Sequence, residues 1–311
     1  MSSTLHIQTQ TDAEATTQPR HRPNPILRFF RLLLKSKTGA LGLLIVLCVV
    51  LMALLAPTLA PHDPVKTNVA KRLLPPMWQE KGKPEHPLGT DNLGRDVLSR
   101  ILYGSQISLL VGFCAVVVAG LIGVIIGLFS GYYGGWLDAV LMRTTDAFLA
   151  IPNILFMLVI LAVMGPSLVT LIFVLGFTNW TTYARMVRGE VLSIKERDFV
   201  RGARAVGASD LRIISKHILP NVISSFIVIS TLSVATTIIL EASLSFLGLG
   251  IQPPDVSWGG MLSDGRQYLA TSWWVATFPG IAITITVLGI IFLGDFLRDT
   301  LDPRLKARKA K

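Results

Sequence analysis

The sequence predicts an all-α polytopic membrane protein with six transmembrane helices, and three observations predict it. Charged residues make up only 15% of the 311 residues, against about 25% in an ordinary soluble domain. Mean hydropathy is +0.57. Apolar runs long enough to cross a bilayer recur along the chain, and Lys and Arg concentrate in the polar segments beside them. Such a chain lacks the polar surface to coat a water-soluble globule.

Residues 1–38 read as a cytoplasmic tail, disordered to about residue 24. From Ile26 to Lys35, apolar side chains alternate with Arg28, Arg31 and Lys35, the pattern of a basic amphipathic helix on membrane lipid. The first span covers 39–60, ended by Pro57 and Pro61. An external, proline-rich segment follows over 61–104. Residues 105–297 form a five-helix core. Its spans are expected at about 107–130, 137–164 with a kink at Pro152, 168–182, 222–249 and 273–297. Turns are expected at Gly131–Gly135 and Gly165–Ser167. Between the fourth and fifth spans lies a charged loop, 184–220, and 298–311 is a basic cytoplasmic tail.

The positions of the basic residues orient the chain. Six Lys and Arg precede residue 39, eight lie between 184 and 220, and six follow 297. With six spans these segments share one side, which is then the cytoplasm, with both termini inside. The 61–104 segment is long and mixed in sign, so it does not reverse this. The net charge of +10 therefore reflects topology, and no nucleic-acid partner is expected. Trp258, Trp273 and Trp274 fall where aromatic rings favour the outer interface. Cys48 and Cys114 lie inside apolar runs and read as packing residues. The first apolar run is too long, and what precedes it too polar, for a cleavable signal peptide.

The stretch Tyr183–Asn221 is the anomaly in this apolar chain. It reads as two helices, the first from Tyr183 to Val206, ended by Gly207 in a left-handed conformation. Ser209 is placed to cap the second, with Asp210 in its first turn, and Pro220 separates that helix from the fifth span. Phe199, Ala203 and Val206 share one helical face, and Gly202, Ala205 and Ala208 allow close approach. Such a face suits either lipid headgroups or a groove on a soluble protein, and the pattern alone favours neither.

Arg201-Gly202-Ala203-x3-Gly207-x9-His217-x-Leu219-Pro220 resembles the EAA loop of bacterial ABC importer permeases. The family pattern has Glu, Ala and Ile where this chain has Arg201, Gly202 and His217. Gly207, Leu219 and Pro220 match. His86-Pro87-Leu88-Gly89-Thr90-Asp91-Asn92-Leu93-Gly94-Arg95-Asp96, Leu244–Gly250, Gln252-Pro253-Pro254, Trp258-Gly259 and Gly294-Asp295-Phe296-Leu297-Arg298-Asp299-x-Leu301-Asp302-Pro303-Arg304 resemble C-type permeases of the dipeptide, oligopeptide and nickel group. These segments are spread over most of residues 30–305.

The resemblance implies a type I ABC importer (MetI-like) permease fold in a bacterial inner membrane. It implies a heterodimer with a homologous B-type permease, two ABC ATPase subunits docked on cytoplasmic loops, and an external peptide-binding protein. ATP and Mg then belong to the ATPase subunits, and this chain carries no cofactor. The docking helix is implied to consist of Phe199, Val200, Arg201, Gly202, Ala203, Val206, Gly207, Ala208 and Ser209. Arg201 is then free to pair with an acid on the partner. The cargo class is dipeptides or oligopeptides, with nickel chelates, glutathione or a peptide-like antibiotic as alternatives.

Glu241 lies in the fifth span toward its outer end, where a structural hydrogen bond to a neighbouring helix outweighs a role in a pathway. Arg143 and Asp146, three residues apart near Asp138, form a candidate pair on one helix face. Gly120, Gly123 and Gly127 have helix-packing spacing. Asp91–Asp96 lacks the alternating ligands of a calcium loop and reads as a turn closed by Gly94. The five histidines show no ligand spacing, so no metal site is expected. No nucleophile–base set or Walker motif appears, so no catalytic residue is expected. A secondary transporter or channel would need more buried acids or repeated broken helices.

Overall fold

A computed structural model describes residues 31–301. The tail, most of the amphipathic helix and the basic C-terminal segment predicted above lie outside the described residues. Residues 31–35 are helical, and Leu33 is buried. The elements are α1 (Lys37–Leu54), α2 (Ala56–Leu59), α3 (Val97–Tyr133), α4 (Gly135–Ala150), α5 (Asn153–Met164), α6 (Leu168–Ile194), α7 (Asp198–Ala205), α8 (Asp210–Ile213), α9 (Leu219–Phe246), α10 (Trp258–Gly265) and α11 (Trp274–Leu301). A π turn, Ile214–Ile218, joins α8 to α9.

Among the described residues, four helical stretches are long and apolar enough to cross a membrane: α1, α3, the continuous run Asp210–Phe246, and α11. The pair α4–α5 makes a fifth if counted as one bent span. The predicted kink at Pro152 is a full break, with α4 and α5 meeting at 84°. Proline restricts the residue before it to extended backbone, and Ile151 adopts that conformation. The predicted fourth span is only the apolar half of α6, which continues twelve residues further, to Ile194.

The helix starts follow local chemistry. Ser36, Asp96, Ser167 and Ser257 each accept a backbone N–H from the first turn of α1, α3, α6 and α10. Asp96 therefore starts α3 ten residues before the predicted onset of the second span. At 37 residues, α3 is roughly 55 Å long. It exceeds the ~30 Å apolar core of a bilayer, so its ends project into polar surroundings.

The central contact is between α3 and α6, which run parallel. Cβ atoms added at Gly123, Gly127 and Gly131 would meet the Tyr183–Ala184, Ala184–Val187 and Arg188–Val191 stretches of α6 at under 3 Å. From the other side, Gly176 admits Val118. The predicted helix-packing glycines are thus the seam of the bundle, although Gly120 serves Phe226 of α9 instead. Antiparallel α9 closes on α3, and α11 lies between α9 and α1, where Gly42 and Gly289 bring α1 and α11 into backbone contact.

One end of the bundle carries a polar cap. Residues 62–96 run without a long helix, tied by an Asx turn in which Asp91 Oδ1 accepts from the Leu93 and Arg95 amides. Gly94 closes that turn at φ +73°, as predicted. The Asp91 carboxylate also binds Arg95 Nε at 2.6 Å and the Arg100 guanidinium, and both arginines reach Asp264 of α10. Trp258 and Trp274 lie at the capped end but are buried within the bundle and do not face outward. Their indole N–H groups donate to the carbonyls of Ile101 and Thr90, so Trp258 fastens α10 to the start of α3 and Trp274 fastens α11 to the cap. Trp273 stays partly exposed. The fold also brings His62 and His86 together, with ring centroids 4.6 Å apart.

Gly123→Val should force α3 from α6, because the new side chain meets backbone atoms of Trp180 and Ala184. The expected cost is about 1–3 kcal/mol, read as a lowered unfolding midpoint of the protein in detergent. An unchanged midpoint would contradict a seam this tight.

Candidate functional site

The opposite end of the bundle holds the charged loop. The predicted single helix from Tyr183 to Val206 is two helices. The end of α6 is followed by a turn at Lys195–Arg197, and α7 starts afresh where Arg197 turns extended, with Asp198 in its first turn. Gly207 ends the loop helix at φ +80°, as expected. Ser209 occupies the cap position of α8 by its backbone, but its side chain makes no capping bond. Pro220 does not separate α8 from α9. The π turn, in which the Leu219 amide bonds to the Ile214 carbonyl, carries the helix through it. A widened turn moves the preceding carbonyls clear of the proline ring.

The loop is anchored on one face and open on the other. Val200 is 1% exposed, packed with Val187, Val191, Ile194, Ile213 and Ile218. Ala203 and Ala208 pack partly on the same cluster. Among the predicted docking residues these three therefore face inward, and Val200 is the anchor. Phe199, Arg201, Gly202, Val206, Gly207 and Ser209 face outward. Val206 is 85% exposed, and the neighbouring Leu211, missed from the sequence, is 77% exposed. Polar ties hold the loop in place. The Tyr132 hydroxyl donates to Asp210 at 2.6 Å, Lys195 Nζ donates to the Gly131 carbonyl, and Arg204 lies over the Tyr132 ring.

Arg201 bonds Glu196 at 2.7 Å within its own chain, and both are exposed. The guanidinium hydrogen bond holds the Glu196 carboxyl below the usual carboxylate range. An exposed pair of this kind contributes little stability, so either group exchanges partners at small cost. The predicted Arg143–Asp146 pair does not form. Asp146 bonds Arg185 at 2.6 Å, and Asp138 takes a two-pronged bond from Arg188. α6, antiparallel to α4, presents both arginines to it, and a pair between elements replaces the pair along one helix.

A cavity of about 290 Å³ opens between α3, α6 and α9. Its polar lining is Asn179, Thr182 and Tyr183 from α6 and Ser233, Thr236 and Thr237 from α9. The α3 wall is Ala115, Val116 and Ala119. Sequence reasoning missed this lining. The visible clue was hydroxyl and amide residues inside helices otherwise apolar. Glu241 is not part of the lining. It is buried, and accepts from Ser245 and from Ser257, which caps α10. That is the structural bond expected of it.

Residues 123–307, more than half of the chain, match the family described as "Binding-protein-dependent transport system inner membrane component". The chain belongs to that family. Residues 24–76 of the permease also match the "N-terminal TM domain of oligopeptide transport permease C". It is 44% identical over 283 residues to a putative peptide transport system permease protein of Brucella suis, covering 91% of this chain and 93% of the relative. It is 41% identical over 285 residues to the dipeptide transport system permease protein DppC of Haemophilus influenzae, covering 91% and 97%. Among solved structures, inward-facing MetNI methionine ABC transporter aligns with a TM-score of 0.54 at 21% identity, over 65% of this chain and 96% of that one. At that identity the likeness is one of fold. The permease is a multi-pass inner-membrane protein of the ABC importer class, and its family is not catalytic.

Val200→Ala should release α7 from its anchor at a local cost of roughly 2 kcal/mol. Hydrogen exchange at the amides of 198–205 should accelerate by at least ~10-fold, while α3 amides keep their protection.

Proposed function

We propose that the permease is one of two membrane subunits of an ATP-driven importer of dipeptides or oligopeptides, and that α7 is its ATPase-docking helix. One observation carries the reading: the exposed loop is the direct continuation of both polar walls of the cavity. From Asn179–Tyr183 in the lining, α6 runs on into the turn before α7. From α8, the helix runs on through the π turn to the Ile229–Thr237 wall of α9. A force applied to α7 therefore tilts two walls together.

In this reading the end bearing the loop and both termini is cytoplasmic, in keeping with its lysines and arginines, and α6 is a sixth crossing. Two ATPase subunits supply ATP and Mg chemistry. The exposed apolar faces of α4–α5, including Leu155, Val159 and Val163, suit a homologous B-type permease, with lipid covering the rest. An external binding protein delivers peptide at the capped end. ATP-driven closure of the ATPase pair would draw the docking helices together, and the parallel α3–α6 unit would swing as a body. The names of the relatives support the peptide class.

Deleting 199–209, or replacing Val206 by Asp, should abolish co-purification of the ATPase subunit encoded beside this chain, with membrane content unchanged. Retention of the ATPase by both variants overturns the docking assignment. Asn179→Leu should keep the ATPase bound yet lower peptide uptake at least ~10-fold, about 1.4 kcal/mol in transport terms. Unchanged uptake would remove the cavity from the pathway.

A further inference from the structure

The capped end contains a side-chain constellation that belongs to neither the cavity nor the charged loop. His62, just after α2, His86, within the cap, and Asp96, the N-cap of α3, are 34 residues apart from first to last. The fold gathers them so that one ligand atom from each lies within 4.8 Å of the others. Asp96 Oδ1 is 3.0 Å from His86 Nδ1 and 3.9 Å from His62 Nδ1. Donors around a tetrahedral zinc at ~2 Å stand roughly 3.3 Å apart, so a modest turn of the His62 ring completes the set.

The surroundings are built, not incidental. Asp96 Oδ2 accepts from both the amide and the hydroxyl of Ser99, which fixes the carboxylate and leaves Oδ1 facing the rings. The same Ser99 hydroxyl accepts from the His62 amide, at 3.1 Å, so the His62 backbone is tied to the same helix turn. His86 and Asp96 are buried. The buried His62 Nδ1, which faces Asp96 Oδ1, makes no hydrogen bond within the described residues, an expensive arrangement unless something else meets it. The His62 side chain is 38% exposed and lines a 600 Å³ opening with Asp63, Tyr103 and Asp255. That gives an ion a way in and room for a water as fourth ligand.

We propose that His62, His86 and Asp96 form a resident zinc-class site that clamps the cap to the start of α3, with Ser99 positioning the carboxylate. Two imidazoles and one carboxylate with an open position suit Zn2+, and Co2+ as its spectroscopic substitute. The site is separate from the cavity between α3, α6 and α9, and is a structural clamp, not a place for cargo.

The test uses the full chain in its assembled complex, purified without a histidine tag, stripped with chelator and titrated with Co2+ and Zn2+. The wild type should take up one equivalent, show the visible absorption of low-coordinate cobalt, and melt at a temperature that rises with free Zn2+. His62→Ala should lose all three responses while folding normally, because His62 is partly exposed. Ser99→Ala should weaken metal affinity about 10–100-fold, and His217→Ala should change nothing. His86→Ala is expected to lose metal too, but is secondary because His86 is buried. No stoichiometric uptake, or uptake that survives His62→Ala, overturns the proposal.

Discussion

The seam between α3 and α6 is the constraint on which the rest of the permease depends. Within lipid there is no hydrophobic drive between apolar helices, so association rests on close van der Waals packing. Gly123, Gly127, Gly131 and Gly176 remove the side chains that would hold these two helices apart. The two helices are also parallel, so the chain must return along the bundle between them. That return is α4–α5, which stays outside the seam and bends by 84°. Beside the seam, where Ala115, Val116 and Ala119 of α3 face polar residues of α6 and α9, the polar-lined cavity opens. The same seam sets α6 at the depth that brings Arg185 and Arg188 to the acids of α4 and delivers α7 to the rim.

The two ends solve opposite problems. At the capped end, Asp91 is shared by Arg95 and Arg100, and all three side chains are nearly inaccessible. Removing one partner from such a buried set typically costs 3–5 kcal/mol, so the cap behaves as a rigid lid. At the loop end the ion pairs are more exposed, and the pair of Arg201 with Glu196 is the most exposed of those described. Rigidity therefore rests on Val200 and the apolar cluster beneath it. The outer surface of α7 keeps replaceable contacts.

Much of this was legible in the sequence, for identifiable reasons. Apolar runs announced α1, α3, α9 and α11 because lipid demands length and continuity. Gly207 and Gly94 announced their turns because both need a left-handed backbone. The misses share another cause: long-range partners override local pattern. Trp258 and Trp274 lie at the capped end, yet carbonyls of Ile101 and Thr90, more than 150 residues away, hold them inside the bundle. Arg143 and Asp146 have pairing distance along one helix, but Arg185 of α6 takes Asp146 instead. Pro220 looked like a break, since nothing local foretells a π turn. Val200 seemed equivalent to its neighbours on α7 until the cluster from α6 and α8 singled it out. His62 and His86 have no meaningful linear spacing, and only the folded cap makes them neighbours.

The π turn has a consequence for how this chain tolerates change. Each residue inserted into a helix advances the following face by about 100°. The turn at Ile214–Ile218 uses a five-residue closure, which sets the angular phase between Leu211 on the loop surface and Ser233 on the cavity wall. Substitutions within that turn alter chemistry at one point. A single insertion or deletion there would instead rotate the loop surface relative to α9 as a block, while leaving every helix formed. Chain length across 214–218 thus acts as a gear setting between the two working surfaces.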